Sequence, residues 1–310
     1  MAVILNSNLS ILILIVACLE LGSAQYPFLW NDIDYDHYYH QDPRDRRADQ
    51  RSYLSMLEQR SLQNYLFENN FKSYDDVPDR IIGGENAAVD EAPFLAQLFR
   101  RFFYQNRFLC GGSLITPRTV LTAAHCVSLF YNYRVRYGSN SRLWSPFPDN
   151  EVKSMRPHPK FNLRTVSNDV ALFILKNPIP PSANVQTIEL ETDSFDETTN
   201  ATLYGFGLTK GTNKEPSNRL KKTTLKVLDN DECAEFISKL HIEKHPGMFC
   251  AAAPERSACN GDSGGPLINT ENRKQIGIVS FGTRYCPPGS VNVYTNVTYY
   301  LDWIHKNKED

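Results

Sequence analysis

"ACNGDSGGPL", residues 258–267, sets an acid and a hydroxyl, Asp262 and Ser263, between glycines just after a cysteine. Ser, Asp and Gly all favour turns, so the stretch reads first as a tight turn. A second reading makes Ser263 a nucleophile on that turn, with small neighbours that leave the backbone N–H groups uncovered. A serine hydroxyl is a weak nucleophile near neutral pH. It needs a base to take its proton and a third group to orient that base.

The chain offers both elsewhere. "LTAAHC" (121–126) carries His125, and "NDVALFIL" (168–175) carries Asp169 at the head of an apolar strand. A lone His here would more often be structural, and a lone Asp a cap. Three separate motifs in the order His125, Asp169, Ser263 follow one of the known chain orders of a Ser-His-Asp triad.

The surroundings suit short strands. "FLAQLFRRFF", "FLCGGSLI", "TVLTAAHCV", "YRVRYGS", "DVALFIL", "ATLYGFGL", "QIGIVSFG" and "VNVYTNV" alternate with turn residues from Ile81 onward. Many short strands with frequent turns predict an all-β sandwich or barrel architecture. The end, "YYLDWIHKNKED", puts Tyr300, Trp303 and Ile304 on one helical face, which predicts a terminal helix docking its apolar side.

The first 24 residues differ from the rest of the chain. An apolar run from Ile11 to Leu19 precedes small residues at Gly22 and Ala24, the pattern of a secretory signal cut after Ala24. The run is shorter than the roughly 20 residues a spanning helix needs, so a soluble, secreted product without membrane association is expected. With Cys18 removed, six cysteines remain: Cys110, Cys126, Cys233, Cys250, Cys259 and Cys286. An even set in an oxidising compartment implies three disulfides, and counting alone allows fifteen connectivities.

Residues 25–80 hold seven Tyr, eleven acids and seven bases but no Gly and no Cys. Their composition predicts a largely disordered segment. Leu57, Ser61, Tyr65 and neighbouring apolar residues are expected to form one short amphipathic helix. The whole chain balances 33 basic against 35 acidic residues, for a net charge of −2. That balance gives no sign of a nucleic-acid partner.

From Ile81 to its end the chain resembles the chymotrypsin/trypsin family of serine proteases. "IIGG", "CGGSLI", "LTAAHC", "DVAL", "GFG", "GDSGGP", "VSFG" and "VYTNV" occur in the family's order. The resemblance implies two six-stranded antiparallel β-barrels with a short C-terminal helix and the triad in the cleft between them. It implies Ser263 as nucleophile, His125 as base, Asp169 as its orienting acid, and the N–H groups of Gly261 and Ser263 as an oxyanion hole. Ser280 matches the serine that hydrogen-bonds the triad Asp, and the strand from Ser280 to Gly282 should pair with the substrate backbone. The disulfides implied are Cys110–Cys126, Cys233–Cys250 and Cys259–Cys286.

The same resemblance divides the chain into a signal peptide (1–24), a pro-segment (25–80) and a protease domain (81–310). Cleavage after Arg80 by a separate trypsin-like protease would free the amine of Ile81 to pair with Asp262. The partners implied are protein or peptide substrates, that activating protease, and protein inhibitors. No disulfide would hold the pro-segment afterwards.

The pocket departs from the trypsin pattern. Ser257, six before the nucleophile, stands where trypsin-like members carry Asp. A neutral floor leaves a buried Arg or Lys unpaired, so cleavage after apolar residues, chymotrypsin- or elastase-like, is expected. Gly282 keeps one wall open, while Asn292 falls where the other wall glycine should be; alternatively Gly289 forms that wall and the pocket is wide.

The loop after Tyr137 lacks early acids, so calcium is not expected. His241 and His245 have a spacing that would suit a metal on a helix but fall in a loop. Neither a metal nor another cofactor is expected. Asn200 and Asn296 sit in glycosylation sequons. The competing reading is a non-catalytic protease homologue, a binding or regulatory protein whose pocket Asn292 obstructs.

Overall fold

Alternation of buried and exposed positions sets the strands. In the computed structural model, which describes residues 84–102, 105–128, 131–209 and 215–310, Tyr133, Val135 and Tyr137 face inward while Asn132, Arg134 and Arg136 do not. Such period-two burial is what one packed sheet face produces. The expected signal peptide, the expected pro-segment with the helix predicted around Leu57, Ser61 and Tyr65, and the Arg80–Ile81 junction all lie outside the described residues.

Six antiparallel strands close a first barrel: β2 (Leu95–Phe102), β3 (Gln105–Thr116), β4 (Thr119–Thr122), β5 (Asn132–Tyr137), β6 (Asn150–Pro157) and β7 (Ala171–Leu175), around the barrel in the order β2-β3-β4-β7-β6-β5. Leu98, Leu121, Leu172 and Ile174 are fully buried in its core. The second barrel comprises β8 (Asn200–Gly205), β9 (Lys221–Val227), β10 (Met248–Ala252), β11 (Pro266–Asn269), β12 (Gln275–Gly282) and β13 (Asn292–Asn296). It runs β9-β10-β13-β12-β11-β8 and closes where β8 pairs with β9; the two-residue β1 (Glu85–Asn86) adds to β9 at its outside. The two six-stranded barrels are the architecture expected.

The eight strand-like runs of the sequence each fall on one of these strands; β1, β6, β9, β10 and β11 were not among them. In β9 Lys residues hide the alternation, although Thr223, Leu225 and Val227 are buried. "TAAHC" leaves the strand after Thr122, and Ala124–Cys126 form a 3-10 turn. Tertiary contacts override the apolar run there, because the His125 N–H is taken by a side chain rather than a strand neighbour.

Two α-helices are present among the described residues. α1 (Asn230–Lys239) was not foreseen; Asp229 caps it by accepting from the N–H groups of Asp231 and Glu232 at 2.9 and 2.8 Å. α2 (Leu301–Asn307) is the expected terminal helix, and it docks on the first barrel, with Tyr300 and Ile304 in that core and Trp303 against His158. Beyond it the Glu309 carbonyl accepts from the hydroxyls of Thr116 and Thr119, and its carboxylate pairs with Arg156 and Lys153. The chain end thus ties the last helix across the first barrel.

Three disulfides are formed: Cys110–Cys126, Cys233–Cys250 and Cys259–Cys286. They close loops of 16, 17 and 27 residues. Loops of this size remove about 3 kcal/mol each of unfolded-chain entropy in the loop-closure picture.

Candidate active site

Asp169, at the entry to β7, is 1 % exposed. A buried carboxylate needs several donors, and four hydrogen bonds hold this residue. Oδ2 faces His125 Nδ1 at 2.7 Å and receives the Ser280 hydroxyl at 2.5 Å, while Oδ1 accepts the His125 backbone N–H at 2.9 Å. The Thr295 hydroxyl donates to the Asp169 carbonyl at 2.7 Å. Burial by itself pushes this carboxyl upward, yet the His125 ring and the three donors bring it below the ordinary 3.8.

An ionised carboxylate only accepts, so Nδ1 of His125 carries the proton and Nε2 is left as an acceptor. Burial pushes the imidazole down, but the Asp169 charge and hydrogen bond outweigh it and set its pKa above the ordinary 6.5. The ring is thereby a stronger base than a free histidine.

Ser263 lies in the turn between β10 and β11. Gly261 has φ +98°, a conformation that glycine adopts at little cost. The turn is fixed from both barrels: Gly111 N–H of β3 donates to Ser263 O at 2.8 Å, and Gly264 N–H donates to Val279 O of β12 at 2.9 Å. Gly264 packs against Thr122 and Ala123, immediately before the segment that carries His125. The N–H groups of Gly261 and Ser263 donate to no backbone carbonyl among the described residues.

Asp262 points the other way and is fully buried. Its oxygens accept from Gly207 N–H at 2.8 Å and Cys259 N–H at 2.9 Å, and Gly205 and Gly207 leave room that any side chain would fill. No cation accompanies it among the described residues, and burial pushes its pKa up to about 6 against those two N–H groups.

The pocket residues meet as the motif spacing suggests. Ser257 is buried, and its hydroxyl lies 2.9 Å from Asn292 Oδ1, 2.8 Å from Ser290 Oγ and 2.9 Å from Ala258 O. Asn292 pairs with Gly282 across β12 and β13. Gly289 sits beside the Ala253–Glu255 backbone, and Asn292 is the residue opposite Gly282. Sequence reasoning missed Ser290, Thr295 and Gly207, although Gly207 and Thr295 lay in recognised motifs, "GFG" and "VYTNV".

Among the described residues the one grouping of three potential ligands is Cys110, His125 and Cys126, whose two sulfurs are joined to each other. In the loop after Tyr137, Asp149 is held by Arg136, and at the start of β6 Glu151 is held by Arg134 and Lys176. His245 Nδ1 accepts from Gly247 N–H, and His241 follows α1 at φ +58°.

Two closed β-barrels with a His–Asp pair and a serine turn at their seam are one of the folds on which serine-type endopeptidases carry their triad. The chain belongs to the trypsin family, whose description, Trypsin, matches residues 81–304. It is 34 % identical over 237 residues to trypsin eta of Drosophila melanogaster, covering 74 % of this chain and 88 % of that one. It is 34 % identical over 234 residues to the vitellin-degrading protease of Bombyx mori, covering 74 % and 85 %. Among solved structures it is similar to neuropsin, a serine protease expressed in the limbic system of mouse brain, with TM-score 0.66 and 28 % identity over 73 % of this chain and 99 % of that one.

Proposed function

We propose that this chain is a secreted serine endopeptidase made as a zymogen, with signal peptide 1–24, pro-segment 25–80 and protease domain 81–310. The hydrogen bond from His125 Nδ1 to the buried Asp169 carboxylate carries the reading. It leaves Nε2 to take the Ser263 proton as the hydroxyl attacks a peptide carbonyl, and to return it to the leaving amine. Asp169 holds the ring's tautomer and offsets the imidazolium charge. The Gly261 and Ser263 N–H groups stabilise the oxyanion, where losing one donor costs about 100- to 1,000-fold in rate.

Activation follows from Asp262. A buried carboxylate with two N–H donors and no cation among the described residues favours any positive group that can reach it. The amine freed at Ile81 by cleavage after Arg80 is that group in this reading. An external trypsin-like protease makes the cut, because Ser257 gives the chain's own pocket no charge for Arg. The pocket takes uncharged side chains of modest size, apolar ones among them, since Asn292 stays hydrogen-bonded to Ser257 and Ala258 across it.

That same Asn292 supports the second reading, a protease homologue that binds a partner through the cleft without cutting it. A fluorophosphonate label on the chain cleaved after Arg80 separates the two. Labelling lost in Ser263→Ala is expected for the enzyme. An unlabelled wild-type chain, fully cleaved, would support the binding protein instead.

A further inference from the structure

Asn292 spans the pocket in one orientation only. Ala258 N–H donates to its side chain at 3.1 Å, and an N–H can donate only to the amide oxygen. Oδ1 therefore takes the Ala258 N–H and also accepts the Ser257 hydroxyl, and Nδ2 is the end turned toward Gly282. There it lies against Gly282, and any side chain at 282 would collide with it.

The two protons of Nδ2 are unequally served. One reaches the Ala258 carbonyl at a long 3.4 Å, and the other has no acceptor among the described residues. Asn292 is only 4 % exposed, so a side chain filling the pocket would displace what water remains on that proton. Tyr294 is the next residue on the same face of β13, fully buried, and its hydroxyl also lacks a partner among the described residues. The strand behind the pocket thus carries two incompletely paired polar groups.

We infer that Asn292 makes the pocket favour a neutral side chain with an oxygen acceptor, asparagine, glutamine or threonine, over the apolar side chain of the same size. This rests on the reading of the cleft as a protease site and ranks the uncharged residues within it. Leucine or valine would strip water from Nδ2 and return no acceptor, and an unpaired buried donor is penalised more heavily than a made bond is rewarded. A carboxylate would have one N–H to offset its desolvation. Arg and Lys meet a donor where they need an acceptor.

The test uses the full chain cleaved after Arg80 by an immobilised trypsin-like protease, with active sites counted by fluorophosphonate. Two peptide pairs differ only in the residue before the cut bond: Asn against Leu, and Thr against Val. The expected result is kcat/KM about tenfold higher for Asn and Thr. Asn292→Asp retains an oxygen toward Ser257 and Ala258 and replaces the Nδ2 donor by an acceptor, so the preference should vanish.

Labelled wild-type enzyme that cuts Leu and Val as well as Asn and Thr overturns the inference and leaves the protease reading standing. A preference that survives in labelled Asn292→Asp overturns it as well. Cleaved wild-type chain that takes no label overturns the protease reading and this inference with it. If Asn292→Asp does not fold, the wild-type ratios decide alone.

Discussion

Asp169 holds His125 at two points, accepting from the ring Nδ1 at 2.7 Å and from the backbone N–H at 2.9 Å. The carboxylate therefore fixes both the tautomer of the imidazole and the turn that presents it. Its charge is also what lifts the ring's pKa above 6.5 against the effect of burial.

Asp169→Asn is expected to lower kcat/KM by about 10,000-fold, because an amide can hold the wrong tautomer. The pH profile gives a second reading. Below its pKa the ring is protonated and cannot take the Ser263 proton, so wild-type activity should fall as pH drops through a midpoint above 6.5. With the charge removed, burial dominates and the midpoint should move down. An acid limb that stays in place would show that His125 is not the base.

Ser280→Ala removes the 2.5 Å donor to Asp169 Oδ2 without touching the ring. Hydrogen bonds to charged groups contribute about 1.5–3 kcal/mol. The expected loss is about 10- to 100-fold in kcat, with KM little changed. Steady-state kinetics on one peptide substrate measure both. Unchanged kcat would make Ser280 a bystander.

Asp262 should govern how the uncleaved chain responds to pH. Its carboxyl binds a proton more tightly in the folded state, with a pKa of about 6 against an ordinary 3.8. Folded stability should then decline as pH rises from 3.8 to about 6 and stay level above. The whole decline is about 3 kcal/mol. Thermal melts of wild type and Asp262→Asn across this range should diverge with pH, the Asn variant lacking the decline. Cleavage after Arg80 should reverse the slope, since a paired amine lowers the carboxyl's pKa. Parallel curves for wild type and variant would remove Asp262 from the account.

Ser257→Asp alone should not bring cleavage after Arg or Lys. The new carboxylate would face Asn292 Oδ1, which now lies 2.9 Å from the serine hydroxyl, and the amide would still obstruct a long side chain. Ser257→Asp with Asn292→Gly removes both obstacles and should cleave Arg peptides at least about 100-fold faster than the single variant. A single variant as fast as the double would show that Asn292 lies clear of the substrate.

The two sequons should differ in use. Asn200 is exposed at the start of β8. Asn296 is half-buried, its Oδ1 accepting from Tyr299 N–H at 3.3 Å, and its sequon hydroxyl, Thr298, donates to Glu191 O. A glycan is bulky and belongs on the surface. Glycosidase treatment of chain secreted from eukaryotic cells should shift its mass once, and Asn200→Gln should abolish the shift. A shift that survives this change would place the sugar on Asn296.

Much of this was readable because motifs report chemistry as well as position. "GDSGGP", "TAAHC" and "DVAL" each need their residue types for a physical reason, so their order pointed to a candidate site before any contact was known. α1 was also legible in principle: Asp229 precedes the run, and Cys233, Ile237 and Leu240 recur at helical spacing. Two charged residues in its first turn and a cysteine otherwise assigned to a disulfide masked that period. The orientation of Asn292 was beyond sequence. It follows from one backbone N–H, that of Ala258, and no side-chain pattern encodes where a backbone donor will point.

Each of the three disulfides begins and ends within a single barrel. The halves are held together by weaker links: the Gly111–Ser263 and Ser280–Asp169 hydrogen bonds, the docked α2, and the Glu309 clasp. Oxidative folding can therefore complete every covalent bond while the relay is still unassembled. A sample with all three disulfides formed and native-like strand content need not turn over substrate even when cleaved after Arg80, because turnover also requires the mating of two finished halves.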